Sequence, residues 1–118
     1  MNEDLFLKEL ETAESDREQL EAAGVAALHR LYEIAQGDSG QCRHVAAFLA
    51  GCYDGQRFPF DLTDFRSLDR KLWEDCMAVL AMDRHPVQEI HEYFEDGGRK
   101  WEAMISRWKL VAISDDAI

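Results

Sequence analysis

His85, Glu89, His91 and Glu92 carry the side chains that hold divalent cations, since imidazole nitrogen and carboxylate oxygen form the ligand set of many such metals. On a helix opening at Pro86, His85, Glu89 and Glu92 would share one face, with His91 near its other side. A dinuclear carboxylate site in a helical bundle draws ligands from four helices, two of them through Glu-x-x-His pairs. No second segment has a matching pair, so neither metal nor cofactor is expected, and these residues read as caps and solvated charge. Ser39-Gly40-Gln41-Cys42-Arg43-His44 sets a thiol beside two cations, the environment that activates a nucleophilic cysteine. Ser39 reads better as a helix cap, and Cys42, Cys52 and Cys76 each fall in an apolar pattern, as small buried hydrophobes do. Catalysis is not expected. There is no phosphate loop, dinucleotide fingerprint or zinc spacing. Arg57, Arg66, Arg70 and Lys71 form the most basic local patch, but Asp61, Asp64, Asp69, Glu74 and Asp75 interleave with them, a pattern of internal salt links rather than a phosphate track.

The strongest signal is acidic. Of 24 acids against 13 bases, eight stand in the first 21 residues, opposed there only by Lys8 and Arg17. Such a field repels nucleic acid and anionic membrane and attracts basic protein surfaces. The candidate partner-binding residues are therefore Glu9, Glu11, Glu14, Asp16, Glu18 and Glu21. No apolar run approaches the roughly 20 residues of a membrane helix, the first residues do not resemble a secretory signal, and three cysteines do not make a disulfide framework, so a cytoplasmic protein is expected.

These residues need a scaffold, and the periodicity predicts an all-α, single-domain bundle of five or six short helices with a central helical hairpin. Residues 1–22 read as an acidic arm or helix, 23–111 as the helical core and 112–118 as a frayed acidic tail. In the arm, Leu5, Phe6, Leu10, Ala13 and Leu20 look irregularly spaced. From Gly24 onward Val25, Leu28, Leu31, Tyr32 and Ala35 recur three or four apart until Gly37. A second helix, capped by Asp38 or Ser39, should turn Cys42, Val45, Ala46, Leu49, Cys52 and Tyr53 inward and stop at Gly55. The connection between the two is short, which predicts a hairpin. Pro59 breaks the pattern, and Phe58, Phe60 and Leu62 alternate as an extended strap would. A third helix, capped by Thr63 or Ser67, carries Leu68, Leu72, Cys76, Val79 and Leu80 with Trp73 and Met77. A fourth starts at Pro86, with Val87, Ile90, Tyr93 and Phe94, and ends at the flexible pair Gly97-Gly98. A fifth buries Trp101, Met104, Ile105 and Trp108.

The blocks Ala27-Leu28-His29-Arg30-Leu31, Gly37-Asp38-Ser39-Gly40-Gln41, Val45-Ala46, Phe58-Pro59-Phe60-Asp61-Leu62, Arg66-Ser67-Leu68-Asp69, Val79-Leu80-Ala81-Met82-Asp83 and Gly97-Gly98-Arg99-Lys100-Trp101 together resemble a family of uncharacterised proteobacterial proteins. That family is met mainly on plasmids, prophages and integrative elements. The resemblance spans residues 25 to about 110, leaves out the acidic arm, and transfers no functional residues. It implies an accessory gene of a mobile element, a setting in which small acidic proteins include inhibitors of host defence complexes. The expected function is non-catalytic binding to a basic surface of a host nucleic-acid-handling or defence complex, in the manner of an anti-CRISPR inhibitor. Two alternatives stand beside it. One is a homodimeric structural or regulatory protein, the other a small metal protein or enzyme using His85, Glu89 and His91.

Overall fold

A computed structural model describes residues 3–112, and among these every regular element is helical. Of the predicted tail at 112–118, all but residue 112 lies outside the described residues. The elements are α1 (Glu3–Ile34), α2 (Gly40–Tyr53), a 3-10 segment (Leu62–Ser67), α3 (Arg70–Asp83), a second 3-10 segment (Ile90–Tyr93) and α4 (Gly97–Arg107).

The predicted arm and the first core helix are one continuous rod of 32 residues, so the boundary read at residues 22–23 falls inside α1. Gly24, where the apolar pattern tightens, is a point of close approach: a Cβ there would sit 2.7 Å from Met82 Sδ, nearer still to Met82 Cβ, so glycine is what lets α1 and α3 touch. Gly24 faces Met82 while Arg30, farther along α1, reaches back to Asp75, so the two helices run antiparallel. Their contact builds the centre of the core, with Ala27, Leu28 and Leu31 against Leu72, Cys76, Val79 and Met82. Asp75 is the buried charge of this seam, and Arg30 grips both its oxygens, Nε to Oδ2 at 3.1 Å and a terminal nitrogen to Oδ1 at 2.9 Å. A fork of this kind satisfies a carboxylate that would otherwise be costly to bury.

The other helices close around this pair. Ser39 caps α2, its Oγ accepting from Cys42 N, and Asp69 caps α3, accepting from Leu72 N at 2.9 Å. The expected third-helix caps, Thr63 and Ser67, fall instead in the Leu62–Ser67 3-10 segment, which Asp61 caps. α4 crosses back over the start of the core. Trp101 is fully buried and donates its indole N–H to Leu49 O, while Arg107 and the Trp108 indole donate to the carbonyls of Ala35 and Gly37. Carbonyls at a helix C-terminus have no partner within the helix, and an arginine with a tryptophan supplies one here from across the fold.

The helix expected from Pro86 does not form. Only Ile90–Tyr93 is helical, as a 3-10 turn closed by a reciprocal Glu89–Glu92 capping box. Gly97 and Gly98 open α4 rather than end the preceding element, and Gly97 is packed, not loose: a Cβ on it would collide with the His91 carbonyl. Asp96, in the left-handed region at φ 55°, makes the turn into α4. Four residues expected inside lie outside: Leu62, Trp73, Leu80 and Val87 are exposed, and Phe48 and Met82 take interior places instead.

Candidate partner-binding surface

α1 outruns its support. At about 1.5 Å per residue its first 20 or so residues span roughly 30 Å, and the molecule measures 56 × 33 × 30 Å. The radius of gyration is 16.8 Å, against about 13.5 Å for a compact chain of this length. The excess is the arm. Glu9, Glu11, Glu14, Asp16 and Glu18 are exposed along it, and Glu21 is half-buried where it meets the body. All six candidate acids thus stand on one helix, held in fixed order by its backbone.

The arm is also apolar to a degree its charge conceals. Leu5, Phe6, Leu7, Leu10 and Leu20 are all exposed. Their spacing reads as irregular only when Arg17 and Gly24 are left out. Counted through those two, Phe6, Leu10, Ala13, Arg17, Leu20, Gly24, Ala27 and Leu31 alternate steps of four and three. That 3.5-residue repeat is the signal that could have revealed the surface from the sequence. At its foot, Arg17, Glu18, Leu20 and Glu21 form a shallow groove of about 110 Å³ with Ala81, Met82, His85 and Val87.

Of the other candidates, Glu89 is engaged in the capping box, and the His91 ring packs edge-on against Tyr53 at 5.0 Å between centroids, its Nδ1 buried without a hydrogen-bond partner among the described residues. Among the described residues, no three His, Cys, Asp or Glu side chains come together as a metal site. Neither cation beside Cys42 serves its thiol, since Arg43 donates to Trp108 O at 2.8 Å and His44 Nδ1 lies 3.6 Å from Asp64. Ser39 Oγ lies 3.1 Å from Cys42 Sγ. Burial pushes the Cys52 thiol up to about 12, with Asp83 and Cys76 adding to the effect, and pushes Cys76 to about 12 as well. Neither is a thiolate near neutral pH. In the basic patch Arg57 pairs with Glu102 at 2.9 Å and Arg70 with Glu74 at 3.1 Å. Glu102 is held below its usual carboxylate range by Arg57 and Tyr53. Of the interleaved acids only Glu74 pairs within the patch, since Asp75 is held by Arg30 of α1 and the partner of Arg57 lies on α4.

No helix among the described residues is long and apolar enough to cross a membrane. Comparison with curated proteins and with solved structures finds no match. The matched span of the family comparison is residues 25–109, which leaves the arm outside it; over that span the chain belongs to DUF7673, a family of unknown function.

Proposed function

We propose that this protein is a non-catalytic binding protein whose acidic helical arm engages a basic surface of another protein. The observation that carries the reading is the arm itself, a projecting helix with Glu9, Glu11, Glu14, Asp16 and Glu18 in solvent. Carboxylates set along one helix steer a cationic partner toward it. The partner class this charge favours is a protein that itself handles nucleic acid, whose cationic face is built for phosphates. An accessory role on a mobile genetic element, acting on a host defence complex in the manner of an anti-CRISPR inhibitor, is the setting the family resemblance suggests.

The test is affinity capture from a bacterial lysate with two baits, the native chain and a variant with Glu9, Glu11, Glu14, Asp16, Glu18 and Glu21 replaced by Gln. A protein retained by the first, lost with the second, and released between about 0.15 and 0.5 M salt supports the reading, because screening acts over about 8 Å or less in that range. Retention by both baits alike, at either salt, refutes it.

A further inference from the structure

The seam along α1 has two halves with different fates. Its lower members, Gly24, Ala27 and Leu31, are sealed by α3, which ends at Asp83. Its upper members continue in the same register beyond that end, where Phe6 is 50%, Leu10 47% and Leu20 43% exposed. The packing surface that α3 covers therefore runs on, uncovered, for about three further turns or more. The charges around it are ordered too. In a 3.5-residue repeat with Leu10, Arg17 and Gly24 at one core position and Phe6, Ala13 and Leu20 at the other, the flanking positions hold Glu9, Asp16 and Ala23 on one side and Leu7, Glu14 and Glu21 on the other. Between Leu7 and Ala23, all four flanks are acidic.

From this we infer that the arm receives an amphipathic helix of the partner, with an aliphatic seam bordered by Lys and Arg, laid along α1 in line with α3. The inference rests on the basic-partner reading and gives that partner a shape. Arg17, a cation within the seam, calls for an acidic or amide residue facing it, and Ala13 leaves room for a large side chain. The groove formed with Ala81, His85 and Val87 receives the end of the incoming helix. A second copy of this chain does not fit, because pairing two arms would set four flanking acids against four more, and like charges at these positions oppose association.

Two synthetic peptides of identical composition test this with the full chain. One spans about three heptads with Leu in the seam, Lys at the flanks and a single Glu to meet Arg17; the other is a scramble with no helical periodicity. Titration calorimetry and circular dichroism should show the patterned peptide binding at least about tenfold more tightly and gaining helix as it binds. The pair Leu10→Asn and Leu20→Asn should weaken it by about tenfold or more, while Leu5→Asn, exposed but off the seam, leaves it nearly unchanged. Equal binding of both peptides overturns the helix inference and leaves the basic-surface reading standing. Failure of both to bind at low salt ends both. A dimeric mass for the free protein that Leu10→Asn makes monomeric would overturn the choice of occupant.

Discussion

Gly24→Ala separates two opposing effects whose sizes can be set against each other. In a helix interior, Ala is favoured over Gly by about 0.5–1 kcal/mol, because glycine has more backbone freedom to lose. Against this, the new methyl would stand 2.7 Å from Met82 Sδ and 2.9 Å from Cγ, and closer still to Cβ. The thioether can rotate away, but Cβ is fixed to the α3 backbone, so α1 and α3 must move apart where their contact is tightest. Overpacking of this kind costs about 1–3 kcal/mol, and a clash that no rotamer relieves belongs in the upper part of that range. The expected net is a loss of about 1–2 kcal/mol, and since each 1 kcal/mol shifts Tm by about 3–5 °C at this chain length, a fall of about 4–8 °C. Gly40→Ala is the matched control. A Cβ there meets nothing within 4 Å at the start of α2, so the same substitution should stabilise by about 0.5 kcal/mol. Both variants are measured by thermal and denaturant unfolding followed by circular dichroism. If Gly24→Ala stabilises as Gly40→Ala does, the helices are not in contact at residue 24, and the account of why the seam is closed below that point and open above it fails.

Gly97→Ala should be among the most damaging single changes, because its methyl would strike the His91 carbonyl and lie 2.6 Å from the carbonyl carbon, both backbone atoms; unfolding with less than about 1 kcal/mol lost would contradict that packing. Asp83→Asn should raise stability at neutral pH. Burial, and then Glu89, hold the Asp83 carboxyl above its usual range, so the native state resists ionising it. Stability falls as pH rises from the ordinary aspartate value through the raised one, and the position at the C-terminal end of α3 adds an unfavourable helix dipole. Stability-against-pH curves that superimpose for the Asp83→Asn variant and the native protein would refute this. Cys52 and Cys76 should react slowly with a thiol reagent in the native protein and quickly once it is unfolded, since raised thiol pKa values and burial both suppress the thiolate; fast native labelling of Cys76 would contradict the assigned core.

Helical class and the interior of α2, α3 and α4 were legible because burial there follows the 3.6-residue period: Val45, Ala46 and Leu49, then Leu72, Cys76 and Val79, then Trp101, Met104 and Ile105 all face inward as read. What escaped the reading depends on contacts distant in sequence. Trp73 and Leu80 sit at the margins of a broad apolar face, and no local pattern says where a neighbouring helix ends its coverage. Pro86 and Glu89 carry good helix-start signals, yet the backbone from 84 to 89 makes no α-turn, and the Glu89–Glu92 box closes a 3-10 turn instead. The Arg30–Asp75 fork joins residues 45 apart, and the Arg107 and Trp108 caps on Ala35 and Gly37 join residues about 70 apart.

In the sequence Gly97 looks like a flexible joint, and Gly24 stands where the apolar pattern tightens. Both lie within or at the opening of helices with ordinary negative φ, and are glycines because another chain segment occupies the space of a side chain. No described glycine has a positive φ, and Gly37 too is closely packed, its Cβ position 2.6 Å from Cys42 Sγ, yet the sequence sets Gly24 apart. Gly37 and Gly55 follow the last apolar residue of a periodic run, whereas Gly24 falls in phase with one, seven residues before Leu31 and seven after Arg17. A glycine at a core position of an unbroken 3.5-residue repeat marks close approach of two helices. Carried back toward the N-terminus from Gly24, the same repeat passes through Leu20, Ala13, Leu10 and Phe6 with no helix among the described residues left to cover them, and it is along this uncovered stretch that the proposed partner helix would lie.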